Sequence, residues 1–261
     1  LGHAKRRADG LRGFTHHVEH GLRLVREGAD ILDVGAESTR PYSTPIESEE
    51  ELRRLIPVVQ VLCEQAGVPV SVDTSKAVIA KQALAAGAEI INDVTGLEGD
   101  REMIDVAARS SVGLCVMHMR GTPRTMQDDP TYNDVVQEIG QYLSNRRDAL
   151  MAAGIQRERI CLDPGIGFGK THQHNLTLLA NCRQFHNLGC PLLIGPSRKG
   201  FIDKVLAQAK ADRAAGTIGV ALALARQGVQ ILRVHDVGPV REALHLFEAT
   251  GGIDGRPAQL P

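Results

Sequence analysis

Apolar positions recur along this chain in two alternating rhythms. Over 16–27, Val18, Leu22 and Val25 fall on one helical face, and Gly28 stands where a helix would close. The run Ile31-Leu32-Asp33-Val34-Gly35 follows and reads as a short buried strand. The same succession then repeats. Strands are predicted over 68–73, 89–94, 112–119, 159–163, 191–195 and 230–235, and helices over 48–65, 76–86, 101–108, 134–153, 174–188, 202–227 and 239–249. Ser48 and Glu51 have the spacing of a capping box at the start of the helix 48–65, and Pro57 predicts a kink inside it. The helical stretch 202–227 predicts a break near Asp212. The Gly- and Pro-rich tail from Thr250 predicts a frayed end.

Three boundaries are alike: Gly28-Ala29-Asp30-Ile31, Gly87-Ala88-Glu89-Ile90 and Gly228-Val229-Gln230-Ile231 each end a helix and begin a strand. Such weak periodicity suits a stack of strand–helix units. Strict alternation of short apolar strands with helices implies a parallel sheet covered by helices. No dinucleotide fingerprint is present, because Gly165-Ile166-Gly167-Phe168-Gly169 has the wrong spacing. An α/β fold, a single (β/α)8 TIM-barrel domain over residues 1–261, fits the length and the order. Seven strand–helix units follow an initial helix, so the first strand is expected to be absent from the chain.

Composition narrows the classes. With 43% hydrophobic residues the chain has ample material for a core, and 3% aromatics make that core aliphatic. A net charge of -1 gives no reason to expect nucleic acid or a membrane surface as partner. No apolar run approaches the ~18 residues that span a bilayer. Residues 1–10 are basic and polar, unlike a secretory signal. Cys63, Cys115, Cys161, Cys182 and Cys190 form no Cys-x-x-Cys pair and sit in apolar surroundings. They read as reduced thiols of a cytoplasmic protein.

Chemistry gathers at the strands' C-terminal ends: Asp33, Asp73, Asn92, His118, Asp163, Ser197 with Lys199, and Arg233 with His235. Any one of these suits a cap or a turn as well as a ligand. All seven strands ending this way favours a site, since barrel enzymes build theirs on that face. In the stretch from Cys161 to Lys170, Pro164 replaces the first glycine of a phosphate-cradling P-loop. That leaves a plain strand-to-helix turn, or a carboxylate at Asp163 facing a ligand that its glycines let approach. Asp73, Asn92 and Asp163 offer acceptors to a donor-rich heterocycle. Lys199, Arg233 and His235, with Thr39 and Arg40, offer donors to an anion. A ligand with a guanidine-like edge and a phosphate tail satisfies both groups. His16, His17 and His20 lack a carboxylate or Cys partner nearby and read as an exposed polar face. The small residues over 211–225 suit close helix packing or a dimer surface equally.

The stretches Asp33-Val34-Gly35-Ala36-Glu37-Ser38-Thr39-Arg40-Pro41, Ser71-Val72-Asp73-Thr74, Ile91-Asn92-Asp93-Val94, Met117-His118-Met119-Arg120-Gly121-Thr122-Pro123, Leu162 to Lys170, Ser197-Arg198-Lys199 and Arg233-Val234-His235-Asp236-Val237 stand in family order and spacing. Through them, and over nearly its whole length, the chain resembles the dihydropteroate synthase family. The resemblance implies a pterin-binding (β/α)8 barrel, usually a homodimer. Such enzymes join p-aminobenzoate to a dihydropterin pyrophosphate and release pyrophosphate, by loss of the leaving group ahead of attack, with Mg2+ assisting. It further implies that Asp73, Asn92, Met117, Asp163, Lys199 and Arg233 bind the pterin. Thr39, Arg40, Arg233 and His235 would hold the pyrophosphate, and Pro41, Phe168, Ser197 and Lys199 would flank p-aminobenzoate. Thr39 to Pro41 belong to a mobile loop in that family. No metal ligand carries over, because the family's first-strand Asn has no counterpart here. Tyr42 departs from the family's small residue and is placed to narrow the p-aminobenzoate entrance. Two rival readings are a methyltetrahydrofolate–corrinoid methyltransferase and a non-catalytic pterin-binding remnant. Ser197-Arg198-Lys199 and Arg233-Val234-His235 argue against the methyltransferase.

Overall fold

The computed structural model describes residues 2–4, 10–207 and 213–258. Strands and helices alternate: β1 (Gly2–Ala4), α1 (Gly10–Arg26), β2 (Leu32–Val34), α2 (Ser48–Gln65), β3 (Val70–Asp73), α3 (Ala77–Ala85), β4 (Ile90–Asp93), α4 (Met103–Ala108), β5 (Gly113–Met117) and α5 (Val135–Ala152). Then come β6 (Ile160–Asp163), α6 (His172–Ala180), β7 (Leu193–Ile194), α7 (Gly200–Leu206), α8 (Arg213–Arg226), β8 (Ile231–Leu232) and α9 (Val237–Ala249). β1 to β6 form one parallel sheet in chain order, and β7 pairs with β8. A parallel bridge between Leu162 and Leu192 joins the two. The register sets Asp73 opposite Asn92 and Met117 opposite Asp163, so the polar strand ends lie side by side. Among the described residues no ladder joins β8 to β1. The core is aliphatic, with Leu24, Leu55, Leu62, Ile79, Ile91, Leu114, Ile139 and Leu143 fully buried and Phe185 the largest side chain inside.

The structure departs from the sequence reading in several places. A strand precedes α1 after all: Gly2, His3 and Ala4 pair with Leu32, Asp33 and Val34. This piece is held by main-chain pairing, and the sequence Gly2-His3-Ala4 carries no apolar strand run. The capping box does not form. The N-cap of α2 is Glu47, without a side-chain bond. Glu51 is 1% exposed and turns inward to Thr74 and Lys76. A charge-assisted bond to an ammonium outweighs a cap. α2 runs from Ser48 to Gln65 through Pro57. The helix read over 174–188 stops at Ala180 and continues as a 3-10 helix, Cys182–Leu188. There the Asn181 amide and the Cys182 thiol donate to the carbonyls of Thr177 and Leu178, side-chain bonds that compete with the helical ladder. The break read near Asp212 lies outside the described residues. The tail folds back, with Gly252 N bonded to Phe247 O at 2.7 Å and Ala258 N to Ala249 O at 2.8 Å.

Candidate active site

Asp33, the middle residue of β2, is wholly buried and is the hub of the polar end of the sheet. Arg233, just past β8, donates from Nε to its Oδ2 at 2.7 Å. The Asn92 amide donates to both Asp33 oxygens, at 3.2 and 3.3 Å. Arg233 also reaches Asp73 Oδ2 at 3.3 Å from Nη2. One guanidinium thus ties the end of β8 to the ends of β2 and β3, across the gap that no ladder spans. Burial pulls the Arg233 pKa down, but the carboxylates of Asp33 and Asp73 outweigh it and hold the value above the ordinary one.

Asp163 ends β6 and is buried. Its Oδ1 accepts from Gly165 N at 2.7 Å, the turn of a short polar residue on its own backbone. Burial pushes its pKa up to about 6, against the opposing pull of the Gly165 N–H and of Lys199, Lys170 and Arg233. The three glycines that follow, Gly165, Gly167 and Gly169, all have positive φ (70°, 82° and 64°). Two of them meet the protein's own backbone. A Cβ on Gly165 would stand 2.0 Å from His118 O, and one on Gly169 2.5 Å from Arg120 O. The loop lies on the backbone of residues 118–120, and protein fills that space. Gly167 faces Lys199 instead, whose Nζ would be 3.2 Å from its Cβ.

Lys170, read only as the end of a failed P-loop, is 2% exposed. Its Nζ lies 3.0 Å from His118 Nδ1 and donates to Phe168 O at 2.8 Å. Burial drives its pKa well below the ordinary lysine value, with Asp163 opposing. Burial first, then Lys170 and Arg120, take His118 down to about 3. A neutral imidazole follows, sharing one hydrogen bond between its Nδ1 and the lysine nitrogen. Lys170 therefore pins the glycine loop to the end of β5. It also seats Phe168, over whose ring Lys199 Nζ stands at 4.5 Å from the centroid, a cation–π contact. Sequence gave little signal for this, because a lysine is ordinarily a surface residue.

Ser197 Oγ accepts from His235 N at 3.2 Å and lies 3.0 Å from His235 Nδ1. Burial, with Arg198 and Arg233 nearby, lowers the His235 pKa to about 4. Such an imidazole is a poor base for a hydroxyl at neutral pH. The pair orients His235 and does not make Ser197 a nucleophile. Arg198 holds Asp236 with two bonds, at 3.1 and 2.5 Å. Met117 is buried beside Gly165. Thr39, Arg40 and Pro41 lie on the β2–α2 loop, Thr39 half-buried and the other two exposed. The tip of that loop meets the β5–α5 loop, where Tyr42 N donates to Pro123 O at 2.9 Å.

Among the described residues no three His, Cys, Asp or Glu are placed to hold a metal. Asp33 and Asp73 are both turned onto Arg233. His16 and His20 stack at 6.4 Å, and Arg23 is bonded to His20 at 2.8 Å. His17 is buried, so the three histidines do not all share an exposed face. All five cysteines are free, and burial raises the thiol pKa of Cys63, Cys182 and Cys190, that of Cys182 to about 12. No helix among the described residues is long and apolar enough to cross a membrane.

Residues 8–235 match the family of pterin binding enzymes. The chain is 42% identical to the dihydropteroate synthase of Escherichia coli (strain K12) over 243 residues, which are 91% of this chain and 86% of the relative. Its fold superposes on the Yersinia pestis dihydropteroate synthase in a sulfonamide drug complex with a TM-score of 0.90, at 37% identity over 96% of this chain and 93% of the other. It superposes on the Xanthomonas albilineans dihydropteroate synthase in complex with 7,8-dihydropteroate with a TM-score of 0.86, at 39% identity over 95% and 91% of the two chains. The chain shares the parallel α/β fold of these neighbours and belongs to the pterin-binding enzyme family, among its dihydropteroate synthases.

Proposed function

We propose that this chain, acting as one domain in the cytoplasm and as a homodimer, joins p-aminobenzoate to 6-hydroxymethyl-dihydropterin pyrophosphate. One observation carries the reading. Buried carboxylates, Asp73 and Asp163, share a strand-end cluster with the fixed cations Arg233 and Lys199. That two-ended arrangement suits a donor-rich heterocycle bearing an anionic leaving group.

Asp163 accepts from the pterin's N–H edge, and Asn92 presents its amide oxygen, its NH2 being committed to Asp33. Asp73 completes the acceptors and Met117 lines the pocket. Arg233 and His235, with Thr39 and Arg40, take the pyrophosphate. The bond from the pterin methylene carbon to oxygen breaks with its electron pair leaving on pyrophosphate. The buried carboxylates stabilise the resulting cation. The arylamine nitrogen, held by Phe168, Lys199, Ser197 and Pro41, then donates its lone pair to that carbon and loses a proton. No protein nucleophile is required, in keeping with the weak basicity of His118 and His235. Mg2+, when bound, would supply neutralisation of the pyrophosphate charge.

The test is pyrophosphate release from dihydropterin pyrophosphate, p-aminobenzoate and Mg2+. Release dependent on both organic substrates is expected, and its absence overturns the reading. Asp163→Asn should weaken pterin binding by about tenfold or more, the loss of a charge-assisted acceptor. Arg233→Ala should weaken the pyrophosphate-bearing substrate more than free pterin, and equal losses would remove the pyrophosphate role.

A further inference from the structure

One ammonium closes both ends of the β2–α2 loop. Lys76, three residues after Asp73 and just ahead of α3, donates from Nζ to Glu37 Oε2 at 2.6 Å and to Ile46 O at 2.6 Å. It donates also to Glu51 Oε2 at 2.7 Å. Three donors meet three acceptors, so the ammonium is saturated. Glu51 is buried in α2, and its other oxygen accepts from Thr74 Oγ1 at 3.1 Å. Glu37 Oε2 also accepts from Ile46 N at 3.4 Å. The groups facing Lys76 are thus Glu37, Glu51, Thr74 and the Ile46 carbonyl. The ten residues from Glu37 to Ile46 have both feet on this one nitrogen, and between the feet stand Thr39, Arg40 and Pro41. The far end of the loop is set by Tyr42, whose φ of 62° is strained for a tyrosine and whose N–H bonds across to Pro123.

We propose that Lys76 is a positioning residue for the loop that closes over both the leaving group and the arylamine. It transmits the place of the pterin-binding strand end, through Asp73-Thr74-Ser75-Lys76, to the loop that carries Thr39 and Arg40 to the pyrophosphate and Pro41 to the arylamine. The idea rests on the proposed function. Lys76 touches no substrate. Without it the loop keeps its sequence and its tip contact but loses the common anchor of its feet, so Thr39, Arg40 and Pro41 no longer hold one geometry over the site. Pterin binding, built on Asp73, Asn92 and Asp163, stays.

The experiment compares Lys76→Met and Lys76→Arg with the parent chain in the pyrophosphate-release assay, with free dihydropterin binding and hydrogen exchange measured alongside. For Lys76→Met we expect KM for p-aminobenzoate and for the pyrophosphate-bearing pterin each to rise about tenfold or more, since small misplacements of positioning groups have effects of that size. The dissociation constant of free pterin should change by less than about twofold. Amides of residues 38–46 should exchange faster while those of residues 165–170 do not. Lys76→Arg, which keeps the charge, should recover part of the KM. Glu37→Gln removes one foot only and serves if Lys76→Met does not fold, with the same direction expected. Unchanged KM values with unchanged loop exchange overturn the proposal, as does an equal loss of free pterin and p-aminobenzoate affinity. If the parent chain released no pyrophosphate, the catalytic reading would fail by itself, and loop exchange in Lys76→Met would still decide whether the clamp exists.

Discussion

Asp163 sits in the fold at a cost that its neighbours do not remove. Its pKa rises from 3.8 to about 6, chiefly through burial. The folded chain therefore holds a proton there more tightly than the unfolded chain, so this group's contribution to stability is full below pH 3.8 and is lost as pH rises through about 6. At neutral pH the penalty is on the order of 3 kcal/mol. Asp163→Asn cannot ionise. It should be more stable than the parent at pH 7.5 by roughly 1–3 kcal/mol, with the advantage gone at pH 4, in urea unfolding curves at the two pH values. No advantage at pH 7.5 would mean that the Gly165 N–H and the nearby lysines balance the burial. A stabilised variant with weakened pterin binding is what a strained functional group produces. The parent's pterin affinity should fall in step as pH drops below 6. The position of Asp163 was legible, since Ile160-Cys161-Leu162 runs straight into a carboxylate. Its neighbours were less so. Lys170 reads as a surface residue, and its burial against His118 depends on a turn no local pattern specifies.

The strand-to-helix connection after β6 shows the same limit for whole elements. Its glycines were legible as a turn, but not that Gly165 and Gly169 lie on the backbone of residues 118–120 while Gly167 faces Lys199. That makes a paired test possible. Gly154 and Gly165 both have positive φ, 88° and 70°. An added Cβ meets nothing within 4 Å at Gly154, and His118 O at 2.0 Å at Gly165. Gly154→Ala should therefore cost about 1 kcal/mol, the backbone strain alone. Gly165→Ala should cost several kcal/mol, or fail to fold, because main chain cannot step aside as a side chain can. Equal losses in the two variants would show that the loop moves freely off residues 118–120. Elsewhere the elements followed their periodicity wherever it was local. α5 begins at Asp134, whose side chain accepts from Val136 N and Gln137 N, as its residue type predicts. Where a distant partner intervened, local signals lost. Glu51 left its cap for Lys76, and the helix after α6 tightened when Asn181 and Cys182 took its carbonyls.

At the scale of the molecule, alternation of strand and helix made the parallel α/β plan readable, and polar strand ends marked the working face. The link between the last strand and the first half of the sheet was not readable, because side chains make it. Arg233 spans from β8 to Asp33 and Asp73, while Asn92 holds Asp33 from the other side. Removing one partner of such a buried group strands the others, at roughly 3–5 kcal/mol, whereas removing both partners together costs less than the sum. Arg233→Met should accordingly destabilise the chain strongly, and Asp33→Asn less so, since Asp73 still faces the guanidinium. In the Asp33→Asn background, Arg233→Met should cost less by about 1.5 kcal/mol or more, a coupling measured by urea unfolding of all four chains at pH 7.5. Arg233→Met should also lower the cooperativity of unfolding, because the contact it removes joins the last strand to the first half of the sheet. If the two substitutions add within about 0.5 kcal/mol, Arg233 and Asp33 are independent, and this ion pair does not couple β8 to β2.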